Sequence, residues 1–166
     1  MSARVGGRVP RRLPGLTERI EAGGFTVAAT VCLDPADGRA VEIQLNREGR
    51  SQGVQLDLLL DELGLRLSRA LQGRDPVEGT AAWRATDAGG PWFGLSHWRI
   101  DLGRFDLAPD CRVYVVALGQ AGWRDLQLLT DAEAPIGARR LVAGLGPALA
   151  VLLRRARNLP TEGEQG

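Results

Sequence analysis

The residue types best suited to chemistry lie where a strand hands over to a helix. In Asn46-Arg47-Glu48-Gly49-Arg50-Ser51-Gln52-Gly53, two arginines, a serine and two glycines precede a helical apolar period. Unpaired backbone N–H groups and the helix dipole make such an entrance a seat for phosphate or another anion. Arg47, Gly49, Arg50 and Ser51 are therefore the candidate ligand-binding residues, with both arginines expected to be exposed. Glu42 joins them, since it lies on the polar face of the preceding strand and could meet Arg47 or Arg50 across the loop. The stretch is not a P-loop, because the GxxxxGK[ST] spacing and its lysine are missing. A plainer role stands beside the binding one, in which Ser51 caps the helix and the arginines are solvated.

Other reactive side chains are few. His97 is the only histidine, and Cys32 and Cys111 are far apart in apolar, strand-like surroundings. Neither a zinc set nor a CxxC redox pair can be assembled, so no metal, no cofactor and no catalytic residue is expected. Both cysteines read as small buried hydrophobes. Trp83, Trp92, Trp98 and Trp123 fall in the second half, interleaved with Arg84, Arg99 and Arg124. That pattern suits a stacking or protein-interaction surface, and equally the core of a hairpin.

Composition narrows the classes. The 166 residues carry 21 basic groups, all arginine, against 20 acidic ones, and the net charge of +1 provides no field to hold nucleic acid. Charged and apolar fractions of 25% and 44% suit a soluble globular chain. The apolar run Leu141 to Leu153 is shorter than the roughly 20 residues of a membrane span, and the arginines at the start have no apolar segment behind them. A cytoplasmic protein is the expectation.

The elements that position these residues follow from period and turn chemistry. Leu16 to Ala22 and Phe25 to Leu33 flank Gly23-Gly24, a two-residue hairpin turn. Asp34-Pro35-Ala36-Asp37-Gly38 is a second turn, after which Val41, Ile43 and Leu45 alternate with Glu42, Gln44 and Asn46. From Gly53 to Gln72 the period changes: Leu56, Leu59, Leu60, Leu63, Leu67, Ala70 and Leu71 share a helical face, and Gly73 ends it. Leu58 and Leu65 lie off that face, which predicts cover on a second side.

The second half echoes this order. Arg19-Ile20-Glu21-Ala22-Gly23-Gly24-Phe25 returns as Arg99-Ile100-Asp101-Leu102-Gly103-Arg104-Phe105, and Gly15-Leu16-Thr17 as Gly94-Leu95-Ser96. A strand at Arg112 to Leu118 follows, then Arg124 to Leu128 opposite Val41 to Leu45, then a helix from Ile136 to Arg157 that Gly144, Gly146 and Pro147 should kink or divide. The fold class expected is α+β: two pseudo-repeated units of short antiparallel strands plus a helix, packed as sheet and helix layers. Residues 14–78 form the first unit and 79–159 the second, with disordered tails at 1–13 and 160–166.

The first unit resembles the TSCPD domain, found near the C-terminus of adenosylcobalamin-dependent ribonucleotide reductases and as a free-standing protein. The likeness runs from Arg12-Leu13-Pro14 and Thr17 through Asp37-Gly38-Arg39-Ala40-Val41-Glu42-Ile43 and Arg47-Glu48-Gly49 to Ala70-Leu71-Gln72-Gly73 and Pro76. Arg47 replaces the family's lysine, the family's cysteine has no counterpart, and the second half is covered only as a divergent duplicate. The resemblance implies an accessory or nucleotide-sensing module associated with ribonucleotide reduction, with a nucleotide or a reductase subunit as partner. Ribonucleoside-diphosphate reductase activity is the family-level alternative, although a radical reductase needs a thiyl-forming cysteine and a reducing cysteine pair, and two isolated cysteines cannot supply them. A protein-interaction module using the tryptophan-rich half is the other alternative, and an enzyme active only as an oligomer a third.

Overall fold

The computed structural model describes residues 13–48, 54–76, 84–86, 97–106, 111–119 and 122–158. The chain is α+β, with the element order β1 (Gly15–Ala22), β2 (Phe25–Leu33), β3 (Ala40–Arg47), α1 (Val54–Leu71), β4 (Arg84–Thr86), β5 (His97–Phe105), β6 (Cys111–Leu118), β7 (Asp125–Thr130) and α2 (Ile136–Arg157). Two antiparallel sheets result, ordered β1-β2-β3 and β4-β5-β6-β7. The run of three consecutive strands and then a helix occurs twice, as β1-β2-β3-α1 and β5-β6-β7-α2, in the order of the echo, and the second sheet adds a fourth strand. The fourth strand, β4, has only three residues and no readable period. Of the expected tails at 1–13 and 160–166, all but Leu13 lies outside the described residues, as do Trp83 and Trp92; Leu13 is half-buried.

Alternation builds the first sheet. Val27, Ala29, Val31 and Leu33 are buried along β2, as are Ile43 and Leu45 along β3, while Thr17, Gln44 and Asn46 face solvent. Gly23 and Gly24 take φ of 60° and 87° and close Ala22 onto Phe25, because a two-residue type I′ turn needs positive φ at both centres. The echoed Leu102-Gly103-Arg104-Phe105 does not turn. Arginine replaces the second glycine there, so Gly103 alone takes positive φ, at 84°. The chain makes a bulge between Asp101 and Arg104, with the Gly103 N–H donating to Asp101 Oδ1 at 2.7 Å. Phe25 opens β2 whereas Phe105 closes β5, so these two are not equivalent positions.

One core serves both units. Each helix touches both sheets: α1 lies against β3 and β5, and α2 against β7, β1 and β2. Leu59, Leu60, Leu63, Leu67, Ala70 and Leu71 of α1 are buried, as are Leu141, Val142, Leu145, Leu149, Leu152, Leu153 and Ala156 of α2. Leu58 and Leu65 are 61% and 55% exposed, so the second contact of α1, with β5, does not cover the two residues that predicted it. Nor does α2 divide at Pro147, since the helix runs unbroken through it. Pro147 is exposed, where water can serve the carbonyl that its missing N–H would have bonded.

The helix glycines are contact points. A Cβ on Gly64 would lie 3.1 Å from the Ile43 carbonyl oxygen and 3.5 Å from the Leu45 nitrogen, and one on Gly146 would lie 3.0 Å from the Leu128 nitrogen. Leu45 and Leu128 hold matching places in β3 and β7, so in each unit a glycine lets the helix approach the last strand. Gly144 faces the other way, and its Cβ would meet Ala22 Cα at 2.9 Å. What reads as a helix-breaking run is close packing on two sides.

Candidate functional site

Strand β3 is bonded to β2 along one edge only, and α1 occupies the other. Unpaired strand groups are costly to bury, and α1 satisfies several. The Ile43 N–H donates to Ser68 Oγ at 2.9 Å. The Ser68 hydroxyl has the carbonyls of Ile43 at 3.0 Å and Gly64 at 2.8 Å within reach of its single proton. Gln72 Nε2 donates to the Val41 carbonyl at 2.9 Å. In the second unit Arg157 donates to the carbonyls of Trp123 and Arg124, in the turn just before β7.

Over this seam opens a groove of about 550 Å³. Its floor is β3 from Val41 to Asn46, one wall is the outward side of α1 with Asp61, Leu65, Ser68 and Arg69, and Leu13, Gln72 and Arg74 complete it. A smaller hollow of about 350 Å³ beside Asp34 and Arg39 shares Val41 and Gln72 with it. The groove carries two carboxylates, Glu42 and Asp61, and two guanidinium groups, Arg69 and Arg74, at the helix C-terminal end. Arg69 Nε donates to the Asp75 carbonyl at 2.8 Å, which holds the side chain at the rim.

Of the residues expected at a binding site, Glu42 lines this groove, half-buried, and accepts from Gln44 Nε2 at 3.2 Å. Arg47 is not exposed as expected. Its side chain is 7% accessible and forms a two-point pair with Asp57 in the first turn of α1, Nε to Oδ1 at 2.6 Å and Nη2 to Oδ2 at 3.1 Å. The guanidinium also lies over the Phe25 ring, 5.8 Å from its centroid. The bonds from the Asp57 carboxylate raise the Arg47 pKa and keep it charged. Arg47 thus ties the end of β3 to the start of α1, and Asp57 also suits the positive end of the helix dipole. Gly49, Arg50 and Ser51 lie outside the described residues.

Reasoning from the sequence did not find Ser68, Asp61, Arg69, Gln72 or Arg74. Ser68 carried a usable signal as a hydroxyl set among Leu63, Leu67, Ala70 and Leu71. Of the tryptophans, Trp123 is fully buried in the core and Trp98 half-buried in β5, and His97 is buried at the start of β5. Among the described residues no group of three His, Cys, Asp or Glu side chains is placed to hold a metal ion.

Cys32 and Cys111 are free thiols on different sheets. Burial raises the Cys111 pKa to about 11, with the Asp131 charge adding to it, and burial followed by the Glu42 charge raises that of Cys32. The folded state thus retains protons that the unfolded chain gives up. Stability from this source is complete below the ordinary thiol pKa near 9 and is lost as pH rises from there toward 11. Urea titrations of wild type and Cys111→Ala between pH 8 and 11 should show a shallower decline in the variant; parallel declines would remove Cys111 as the cause.

Comparison with protein-family models, with curated proteins and with solved structures finds no match.

Proposed function

We propose that the chain is a non-catalytic, nucleotide-sensing module whose ligand seat is the groove between β3 and α1. The groove itself carries this reading: its volume falls within the range of roughly 300–1,000 Å³ that small-molecule sites occupy, and its lining combines arginines, carboxylates and side-chain amides. Arg69 and Arg74 would take the phosphate. Glu42 and Asp61 would accept from ribose hydroxyls, and Gln44 and Asn46 offer amides to a base edge. Leu13 and Leu65 supply apolar surface for a ring. Arg47 serves as the brace that sets β3 against α1. The setting beside ribonucleotide reduction, with a reductase subunit as partner, rests on the TSCPD resemblance alone.

Calorimetric titration with a panel of ribo- and deoxyribonucleotides tests the reading. Two charge-assisted contacts together contribute about 3 kcal/mol, so Arg69→Ala/Arg74→Ala should weaken binding on the order of a hundredfold with unchanged circular dichroism. Equal affinities would remove these arginines from the site, and no binding by either protein would refute the nucleotide reading.

A further inference from the structure

The second unit holds a counterpart of the polar groove with the opposite chemistry. Because Gly64 meets Leu45 as Gly146 meets Leu128, the groove residues Asn46, Asp61, Leu65 and Arg69 correspond in position to Leu129, Ala143, Pro147 and Val151. All four counterparts are apolar and exposed, Leu129 at 45% and Val151 at 38%. Ile136, 58% exposed, extends the strip to the start of α2. This helix is apolar enough to meet the length and composition of a membrane span, yet only half of that stretch is buried in the protein. Its outward side has no folding reason to be apolar.

The charges around the strip say what covers it. Helix α2 contains five arginines and no acidic residue. Arg139 and Arg140 follow an uncapped N-terminus with no acid in the first turn, where the helix dipole disfavours them. Arg154 and Arg155 stand at the other end, in exposed pairs with Asp125 at 3.2 Å and Glu18 at 2.6 Å, pairs of the kind that hold little energy and can take a further carboxylate. The strip from Ile136 to Val151 runs about 22 Å at 1.5 Å per residue, with Arg140 on the same face one turn inside its first end and Arg154 and Arg155 about one turn beyond its last. A second copy fits it poorly. Antiparallel pairing sets Arg140 against Arg154 and Arg155, and parallel pairing sets each against itself. A lipid surface also fits poorly, since helices lying in it bury Trp, Phe or Leu, whereas Ala143 and Pro147 form the middle here.

We propose that the outward face of α2, with Leu129 of β7, is the docking site for an amphipathic helix of another protein that carries large apolar side chains and acidic residues at both ends. Small residues at the centre of the strip admit the partner's large ones, and the arginines at its ends pair with the acids.

Fluorescence anisotropy with the full chain and a labelled amphipathic peptide of about 18 residues, leucine on one face and glutamate at both ends, tests this. The peptide should bind, a lysine-ended version should not, and Val151→Glu and Arg140→Glu should each weaken binding about tenfold or more. Leu58→Glu, on the exposed side of α1, should leave it unchanged. Absent binding, equal binding of the lysine-ended peptide, or indifference to both variants would overturn the proposal. So would tighter association with anionic vesicles, or a wild-type dimer that Val151→Glu dissolves. Nucleotide binding in the β3–α1 groove is a separate readout, so failure of one does not decide the other.

Discussion

Valine in place of Gly64 or Gly146 is expected to destabilise the fold by about 3 kcal/mol each, combining the overpacking of a close contact with disturbance of buried strand-edge hydrogen bonds. The first added carbon already stands 3.1 Å from the Ile43 carbonyl oxygen or 3.0 Å from the Leu128 nitrogen, and two more must follow it. Neither neighbour is a flexible side chain that could swing aside. Gly137 is the control: a Cβ there meets nothing within 4 Å, so Gly137→Ala should stabilise by about 0.5–1 kcal/mol through helix propensity alone. Denaturant midpoints of the three variants check this. A similar cost at Gly64 and Gly146 would also support the equivalence of the two units, and two near-neutral results would contradict the close approach of helix to strand.

Ser68→Ala should cost about 2 kcal/mol, or roughly 4–8 °C in Tm for a chain of this size. The cost arises from what the hydroxyl leaves behind. The Ile43 N–H loses its acceptor and the Ile43 carbonyl loses a donor, under a residue that is 8% exposed. Hydrogen exchange locates the effect. Protection of the Ile43 amide should fall well beyond the global loss, while amides in β6, at the centre of the other sheet, should follow global stability. Uniform loss would mean that Ser68 acts through packing only.

Where period alone decides, the sequence was readable. Val41, Ile43 and Leu45 alternate and became β3, and Leu59, Leu60, Leu63 and Leu67 follow a 3.6 period and became the inner face of α1. Contacts between elements were not readable. Arg47 sits in a stretch with solvent-loop chemistry, and nothing local reveals that Asp57, a helical turn inside α1, turns back to meet it. Gly144, Gly146 and Pro147 carry breaker signals, but the glycines fit the helix against strand backbones on two sides. Leu58 and Leu65 imply cover by their type, whereas the structure leaves both outside. The groove was half legible: Glu42, Gln44 and Asn46 form the polar face of β3 that alternation reveals, but Asp61, Ser68 and Arg69 sit on a helix whose period marks only its apolar face, and Gln72 and Arg74 lie just past its end.

A nucleotide seat between β3 and α1 is decided by amide chemical-shift mapping on the nitrogen-15-labelled full chain, titrated with a nucleoside triphosphate and its deoxy form. Saturable shifts confined to Gln44, Gly64, Ser68, Arg69 and Gln72 are the predicted result. Absence of saturable shifts, or shifts gathered on β7 and α2 instead, would contradict a nucleotide seat between β3 and α1.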